Sequence, residues 1–71
     1  MYNQLLSFKE LMTYYDRVKK YVDDGFRVDG LKEELELILS SLKRKAEEEG
    51  IALDHHTLEK EVKHYIRLLR H

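Results

Sequence analysis

One corner motif occurs twice in this chain, and it constrains where helices can end and begin. A glycine is followed by an apolar residue, and an aspartate stands four positions after the glycine: Gly25 to Asp29, and Gly50 to Asp54. Glycine readily takes the left-handed backbone conformation that closes a helix, and the apolar residue after it can reach back onto the last turn. Aspartate is a preferred N-cap. The motif therefore predicts a helix on each side of both corners, with Asp29 and Asp54 as N-caps.

The three segments that the corners separate each carry one apolar stripe. Apolar residues recur at steps of four, three and four positions, which places them on one side of a helix. The stripes are Leu11, Tyr15, Val18 and Val22; Leu31, Leu35, Ile38 and Leu42; and Leu58, Val62, Tyr65 and Leu69. No segment alternates with a period of two, so no strand is predicted.

These patterns predict an all-α fold, a compact antiparallel three-helix bundle. Ser7 and Glu10 have the spacing of a capping box, which places the start of the first helix. The predicted helices cover residues 8–24, 30–49 and 55–70. Short connections favour antiparallel neighbours, and a chain of 71 residues has room for one core, so residues 1–71 are expected to form a single domain.

Composition excludes several classes of protein. The absence of cysteine rules out disulfides, thiolate catalysis and cysteine-bound zinc, and it fits a reducing compartment, so we expect a cytoplasmic protein. Neither a membrane span nor a signal peptide is predicted, because the apolar runs are far too short. The net charge of −1 leaves electrostatic arguments to the local distribution of charge.

No catalytic or metal site is predicted. The chain lacks a glycine-rich phosphate loop and a recognisable arrangement of nucleophile and base, so we expect no enzyme, no cofactor and no small-molecule substrate. Four histidines lie in the last segment, but His64 and His71 would be about 10 Å apart along a helix axis. Glu61 and His64 form only one of the two Glu-x-x-His pairs that a di-iron bundle needs. Ordinary surface histidines are the preferred interpretation.

The polar side of the third predicted helix is basic. At about 100° per residue, seven side chains fall in one arc that contains no carboxylate. Six of them form the candidate nucleic-acid face, namely His56, Lys60, Lys63, His64, Arg67 and Arg70, and the seventh is His71. Glu59 and Glu61 lie at the edges of this arc. Such a basic face could neutralise phosphates of a nucleic acid, although basic residues also suit the negative end of any helix.

The stretch Gly50-Ile51-Ala52-Leu53-Asp54-His55-His56-Thr57-Leu58, continuing to Glu61-Val62-Lys63, resembles the turn and recognition helix of arginine-repressor-type helix-turn-helix domains. The resemblance implies that His55, His56 and Lys60 would lie nearest the bases. It also implies that Lys63 or Arg67 would lie nearer the phosphates. It covers only this part of the chain.

Four of the apolar residues that fall outside the predicted stripes form a candidate protein-interaction surface. They are Tyr14, Tyr21, Leu37 and Leu68. Tyrosine is enriched at interface hot spots, and Tyr14 and Tyr21 share one flank of the first helix. Scattered exposed apolar residues are also normal on helices, so these side chains could simply cover the edge of the bundle.

The leading functional prediction is a non-enzymatic bundle with a structural or protein-interaction role, through an unknown protein partner or by self-association. The alternative is a helix-turn-helix-like nucleic-acid-binding module that uses the basic face of the third helix. Agreement between caps, corners and stripes is also typical of designed proteins. A designed protein without a biological function is therefore a further interpretation of the same features.

Overall fold

A computed structural model describes residues 6–69 and shows three helices, with no strand in that range. The helices are α1 (Phe8–Asp23), α2 (Leu31–Glu49) and α3 (His55–Leu68). They pack against each other as a compact three-helix bundle. The predicted fold class is confirmed. The helix boundaries agree within one residue, except at the end of the third helix: α3 ends at Leu68, and position 70 of the predicted helix lies outside the described residues.

Contacts between the helices define their directions. The backbone N–H at the start of α1, on Phe8, donates to the carboxylate of Glu49 at the end of α2, so these two helices are antiparallel. Lys19 of α1 pairs with Glu61 of α3 at 3.1 Å. Further along both helices, the Tyr65 hydroxyl donates to a carboxylate oxygen of Asp23 at 3.1 Å. Since both contacts advance in the same direction, α1 and α3 run parallel and the chain runs up, down and up.

The core consists mainly of the three predicted stripes, and Ala46 of α2 is buried with them. All four stripe residues of α1 are buried, and the stripes of α2 and α3 are buried except at one or two positions. The half-buried members are Leu31, Tyr65 and Leu69, which pack against the edge of the core. Ser41, which belongs to no stripe, is also buried, with 2% of its surface exposed. Each fully buried large apolar side chain contributes roughly 1.5–3 kcal/mol.

Both glycine corners have the predicted left-handed closure. At the first, Gly25 has a φ of 97°, and the N–H of Phe26 donates to the carbonyl of Tyr21 at 3.2 Å. At the second, Gly50 has a φ of 68°, and the N–H of the next residue donates to the carbonyl of Ala46 at 2.8 Å. These are the bonds of a Schellman motif, which satisfies carbonyl groups that the helix end leaves open.

Two of the three predicted N-terminal caps are confirmed. Ser7 and Glu10 form the full capping box, in which each side chain accepts a bond from the other residue's backbone N–H. The side chain of Asp54 accepts the N–H of Thr57 at 3.1 Å and so caps α3. An N-cap of this kind stabilises a helix by about 1 kcal/mol.

The predicted cap at Asp29 is wrong, because α2 begins one residue later with Gly30 at the N-cap. Gly30 has a φ of 92° and a ψ of −5°, and α2 has no side-chain cap bond. The N–H of Leu31 donates to the carbonyl of Val28 at 3.3 Å. Residues 28–31 therefore form a tight turn with the glycine at the position that needs positive φ. Asp29 occupies the second position of this turn, where it cannot cap the helix.

Candidate interaction surfaces

The basic face of α3 points away from the core. Five of its six predicted members are exposed: His56, Lys60, Lys63, His64 and Arg67. The opposite side of the helix carries Leu58 and Val62, which are buried. Arg70, the sixth member, lies outside the described residues. The structure therefore brings five side chains together on one exposed side of α3.

The two glutamates that border this face are held by lysines from other helices. Glu61 accepts a hydrogen bond from the Tyr15 hydroxyl at 2.7 Å and forms an ion pair with Lys19 at 3.1 Å, and both partners lie on α1. Glu59 forms an ion pair with Lys43 of α2. Both carboxylates thus contact the neighbouring helices.

These contacts lower the pKa of both carboxyl groups. The pKa of Glu61 lies below its usual value chiefly because the Tyr15 hydroxyl donates to the carboxylate, an effect that partial burial opposes and Lys19 reinforces. The pKa of Glu59 is lowered by the hydrogen bond and the charge of Lys43. Both groups are therefore ionised and paired near neutral pH. Among residues 6–69, none forms an ion pair with Lys60, Lys63 or Arg67.

His55 does not belong to this face. It lines a depression of about 390 Å³ together with Ser40, Lys43, Arg44 and Glu47 of α2. His55 therefore lies on the side of α3 next to α2, whereas His56 and Lys60 lie on the outer side. The resemblance to a helix-turn-helix domain places His55, His56 and Lys60 nearest the bases. Only His56 and Lys60 lie on the outer side of α3.

A second surface lies along α1 on its α2 side. The Tyr14 hydroxyl donates to Glu34 of α2, so Tyr14 faces that helix. Tyr14 and Tyr21 line a depression of about 280 Å³ with Arg17 and Val18, which we call the α1 groove. A wider depression of about 600 Å³ shares Tyr14 and Arg17 and continues toward the start of α1.

An exposed aromatic pair extends this surface toward the first corner. The rings of Tyr21 and Phe26 stack with centroids 4.4 Å apart and an interplanar angle of 8°. Tyr21 is 38% exposed and Phe26 is 50% exposed. The corner motif predicted that the apolar residue after Gly25 would reach back onto the last turn of the helix, and this is confirmed for Phe26, which stacks on Tyr21. The sequence analysis did not include Phe26 in the interaction surface. Its position directly after the glycine that closes α1 could have indicated that its side chain lies outside the core.

The remaining two residues of the predicted protein-interaction surface lie on different sides of the bundle. Leu37 is 45% exposed and follows Glu34 by three positions on α2, so it lies on the same side as the α1 groove. Leu68 is half-buried on α3, one turn after Tyr65, whose hydroxyl bonds to α1. Tyr14 and Tyr21 thus line one groove, Leu37 lies one turn after the residue that Tyr14 contacts, and Leu68 lies on a different helix.

The described part of the chain offers neither a metal site nor a membrane-spanning helix. Residues 6–69 contain no group of three His, Asp or Glu side chains close enough to hold a metal ion. Within the same residues, none of the helices combines the length and the apolar character that crossing a membrane requires.

Comparison of the chain with protein-family models, with curated proteins and with solved structures found no match. The α1 groove and the basic face of α3 are the two surface features from which a function can be proposed.

Proposed function

We propose that this chain is a non-enzymatic protein-interaction module whose α1 groove binds an apolar side chain from an acidic segment of a protein. The observation that carries the proposal is the composition of the groove. Tyr14, Tyr21 and the largely buried Val18 line it. Arg17 is an exposed cation at its edge, without an ion pair to any residue between 6 and 69.

Several features of the groove favour binding. Tyrosine offers a large contact area and loses little conformational entropy, and the bond from Tyr14 to Glu34 restricts that side chain before any partner arrives. The stack with Phe26 restricts Tyr21 in the same way. The guanidinium of Arg17 can bind a carboxylate through two parallel hydrogen bonds. The expected ligand therefore combines a leucine-like side chain with a nearby Asp or Glu.

The test is a titration of the ¹⁵N-labelled protein with a synthetic helical peptide of leucine and glutamate, followed by amide chemical shifts. We expect shift changes clustered at Tyr14, Arg17, Val18 and Tyr21. Arg17→Glu and Tyr21→Ser should each weaken binding several-fold, whereas the matched charge reversal Lys60→Glu on α3 should leave it unchanged. A spectrum unchanged at millimolar peptide, or equal binding by Tyr21→Ser, would overturn the proposal.

A second candidate function is nucleic-acid binding through the basic face of α3. The specific observation that favours it is the engagement of Glu59 and Glu61 by Lys43 and Lys19. Because these carboxylates are paired with other helices, they neutralise the outward cations of α3 less than the sequence alone would indicate. Lys60, Lys63 and Arg67 would then each displace a counterion from a phosphate backbone.

This candidate is tested by the fluorescence anisotropy of a labelled DNA duplex at increasing salt. If the basic face binds phosphates, log affinity should fall with log salt by about 0.9 for each phosphate neutralised. Lys63→Glu combined with Arg67→Glu should abolish binding. Lys9→Glu combined with Lys32→Glu changes the net charge equally on other helices and should retain it. No binding at micromolar protein in low salt would remove this candidate.

A further inference from the structure

The outer side of α2 carries the complement of the α1 groove. Leu37 is exposed there, and Glu33 lies one turn before it on the same side of the helix. Glu33 is exposed and has no ion pair within the described part of the chain. A leucine with a carboxylate beside it is the ligand chemistry that the groove requires.

We infer that the partner in the α1 groove is a second copy of this chain, with Leu37 of one molecule over Val18 of the other and its Glu33 against Arg17. This inference rests on the proposed function, because it uses the same groove. It specifies the partner and the residues that the partner supplies.

The spacing of the residues agrees with this arrangement. On α1, Tyr14 and Tyr21 are about 10 Å apart along the axis, with Arg17 and Val18 between them. On α2, Glu33 and Leu37 are about 6 Å apart along the axis. When Leu37 lies over Val18, an arginine at the edge of the groove is long enough to reach a carboxylate one turn away.

The arrangement is also compatible with a closed, two-fold symmetric dimer. Because Tyr14 contacts Glu34, the α1 groove and Leu37 lie on the same side of the bundle. A two-fold axis on that side would give each molecule one groove and one leucine in the same interface, as an isologous dimer requires. The net charge of −1 offers little repulsion between copies. Because the proposed contact would involve only one edge of each of two helices, we expect association weaker than that of a standard interface of roughly 800 Å² per partner, with a Kd that is micromolar or above.

Sedimentation velocity over a range of concentrations tests whether the chain forms this dimer. The decisive variants reverse the charge of Arg17 or of Glu33. We expect the wild type to associate as concentration rises, and Arg17→Glu and Glu33→Arg each to stay monomeric, because like charges meet in both halves of the dimer. Mixing the two variants should restore association at wild-type strength. A mixed dimer has two contacts between positions 17 and 33. One contact carries both substitutions and so pairs opposite charges again, and the other is the wild-type contact between Arg17 and Glu33.

Two further variants keep the result interpretable. Leu37→Ser removes an exposed side chain and should weaken association at least as strongly, whereas Lys60→Glu on α3 should leave it unchanged. Far-UV circular dichroism confirms that each variant is folded, and Arg17→Gln with Glu33→Gln replaces the reversals if either unfolds. A wild type that is monomeric at millimolar concentration, or a mixture that stays monomeric, overturns the inference. If the wild type does not self-associate but the leucine–glutamate peptide still binds the groove, the proposed function stands and only the dimer is excluded. If the peptide does not bind either, the proposed function and the dimer are both excluded.

Discussion

The carboxylate of Glu49, at the last position of α2, accepts a 2.9 Å hydrogen bond from the backbone N–H of Phe8, the first residue of α1. Negative charge is unfavourable at the C-terminal end of its own helix and favourable at the N-terminal end of another. The antiparallel packing of α1 and α2 places these two ends side by side. The acidic run at residues 47–49 is therefore partly explained by the neighbouring helix.

Replacing Glu49 with alanine should destabilise the bundle, because it removes both the acceptor and the charge at the start of α1. We expect a loss of about 0.5–1 kcal/mol in the free energy of unfolding. Urea denaturation followed by circular dichroism measures it. Glu47→Ala removes an exposed carboxylate from the same turn and serves as the control. Equal urea midpoints for the two variants would contradict the interhelical role of Glu49.

The two corner aspartates should respond differently to the same substitution. Asp54 caps α3 through the N–H and the hydroxyl of Thr57, so Asp54→Ala should lower the melting temperature. Asp29 lies in the turn before α2 and caps nothing, so Asp29→Ala should lower it much less. Thermal unfolding of both variants provides the comparison. A larger loss for Asp29→Ala would mean that α2 begins at the aspartate in solution.

The hydroxyl of Tyr15 should matter more than that of Tyr65. Tyr15 is 1% exposed and donates to Glu61 at 2.7 Å, and its pKa is raised by burial and by this bond. Tyr15→Phe should lose about 1 kcal/mol, since it removes a bond to a charged acceptor and leaves the ring in place. Tyr65→Phe removes a longer, more exposed bond to Asp23 and should lose less. Urea denaturation ranks the two, and an equal or reversed ranking would contradict the role of Tyr15.

Stability should fall as the pH is lowered below about 5, because Glu59 and Glu61 both have lowered pKa values in the folded chain. A carboxyl group with a lower pKa when folded binds protons more tightly when unfolded. Its contribution is therefore complete well above the ordinary value of 4.5 and is lost as the pH falls through the folded value.

Thermal unfolding between pH 7 and pH 2.5 measures this dependence. Glu59→Gln with Glu61→Gln should make the midpoint less sensitive to acid. The control, Glu36→Gln with Glu47→Gln, removes the same charge from exposed positions of α2. If the melting temperature of the Glu59 and Glu61 variant falls with pH as steeply as that of the wild type, these two groups are not the cause of the acid sensitivity.

Local sequence was enough to predict the helices, their corners and most of the core. Stripes and caps such as Ser7 with Glu10 depend on residues a few positions apart, which share one helix or one turn. Even so, Gly30 rather than Asp29 begins α2, because a glycine next to the aspartate allows a tight turn that the corner motif did not reveal. The burial of Ser41 depends on how closely the helices pack, which periodicity does not specify.

The candidate surfaces were predicted less completely, because their chemistry depends on contacts between helices. The residues of the α3 basic face follow from the helical repeat. The partners of Glu59 and Glu61 do not, since Lys43 and Lys19 meet them only through the register of packed helices. Likewise, Tyr14 and Tyr21 could be assigned to one flank, but only the contact of Tyr14 with Glu34 shows that this flank faces α2.

The pairing of Glu59 and Glu61 with distant lysines makes the charge pattern of α3 a property of the folded chain. In the unfolded chain these glutamates stand on either side of Lys60, and the segment is close to electrically balanced. Folding draws the carboxylates toward the bundle and leaves the cations outside. A polyanion that recognises this arrangement would bind the native state in preference to the denatured chain, and its presence would raise the melting temperature of the protein.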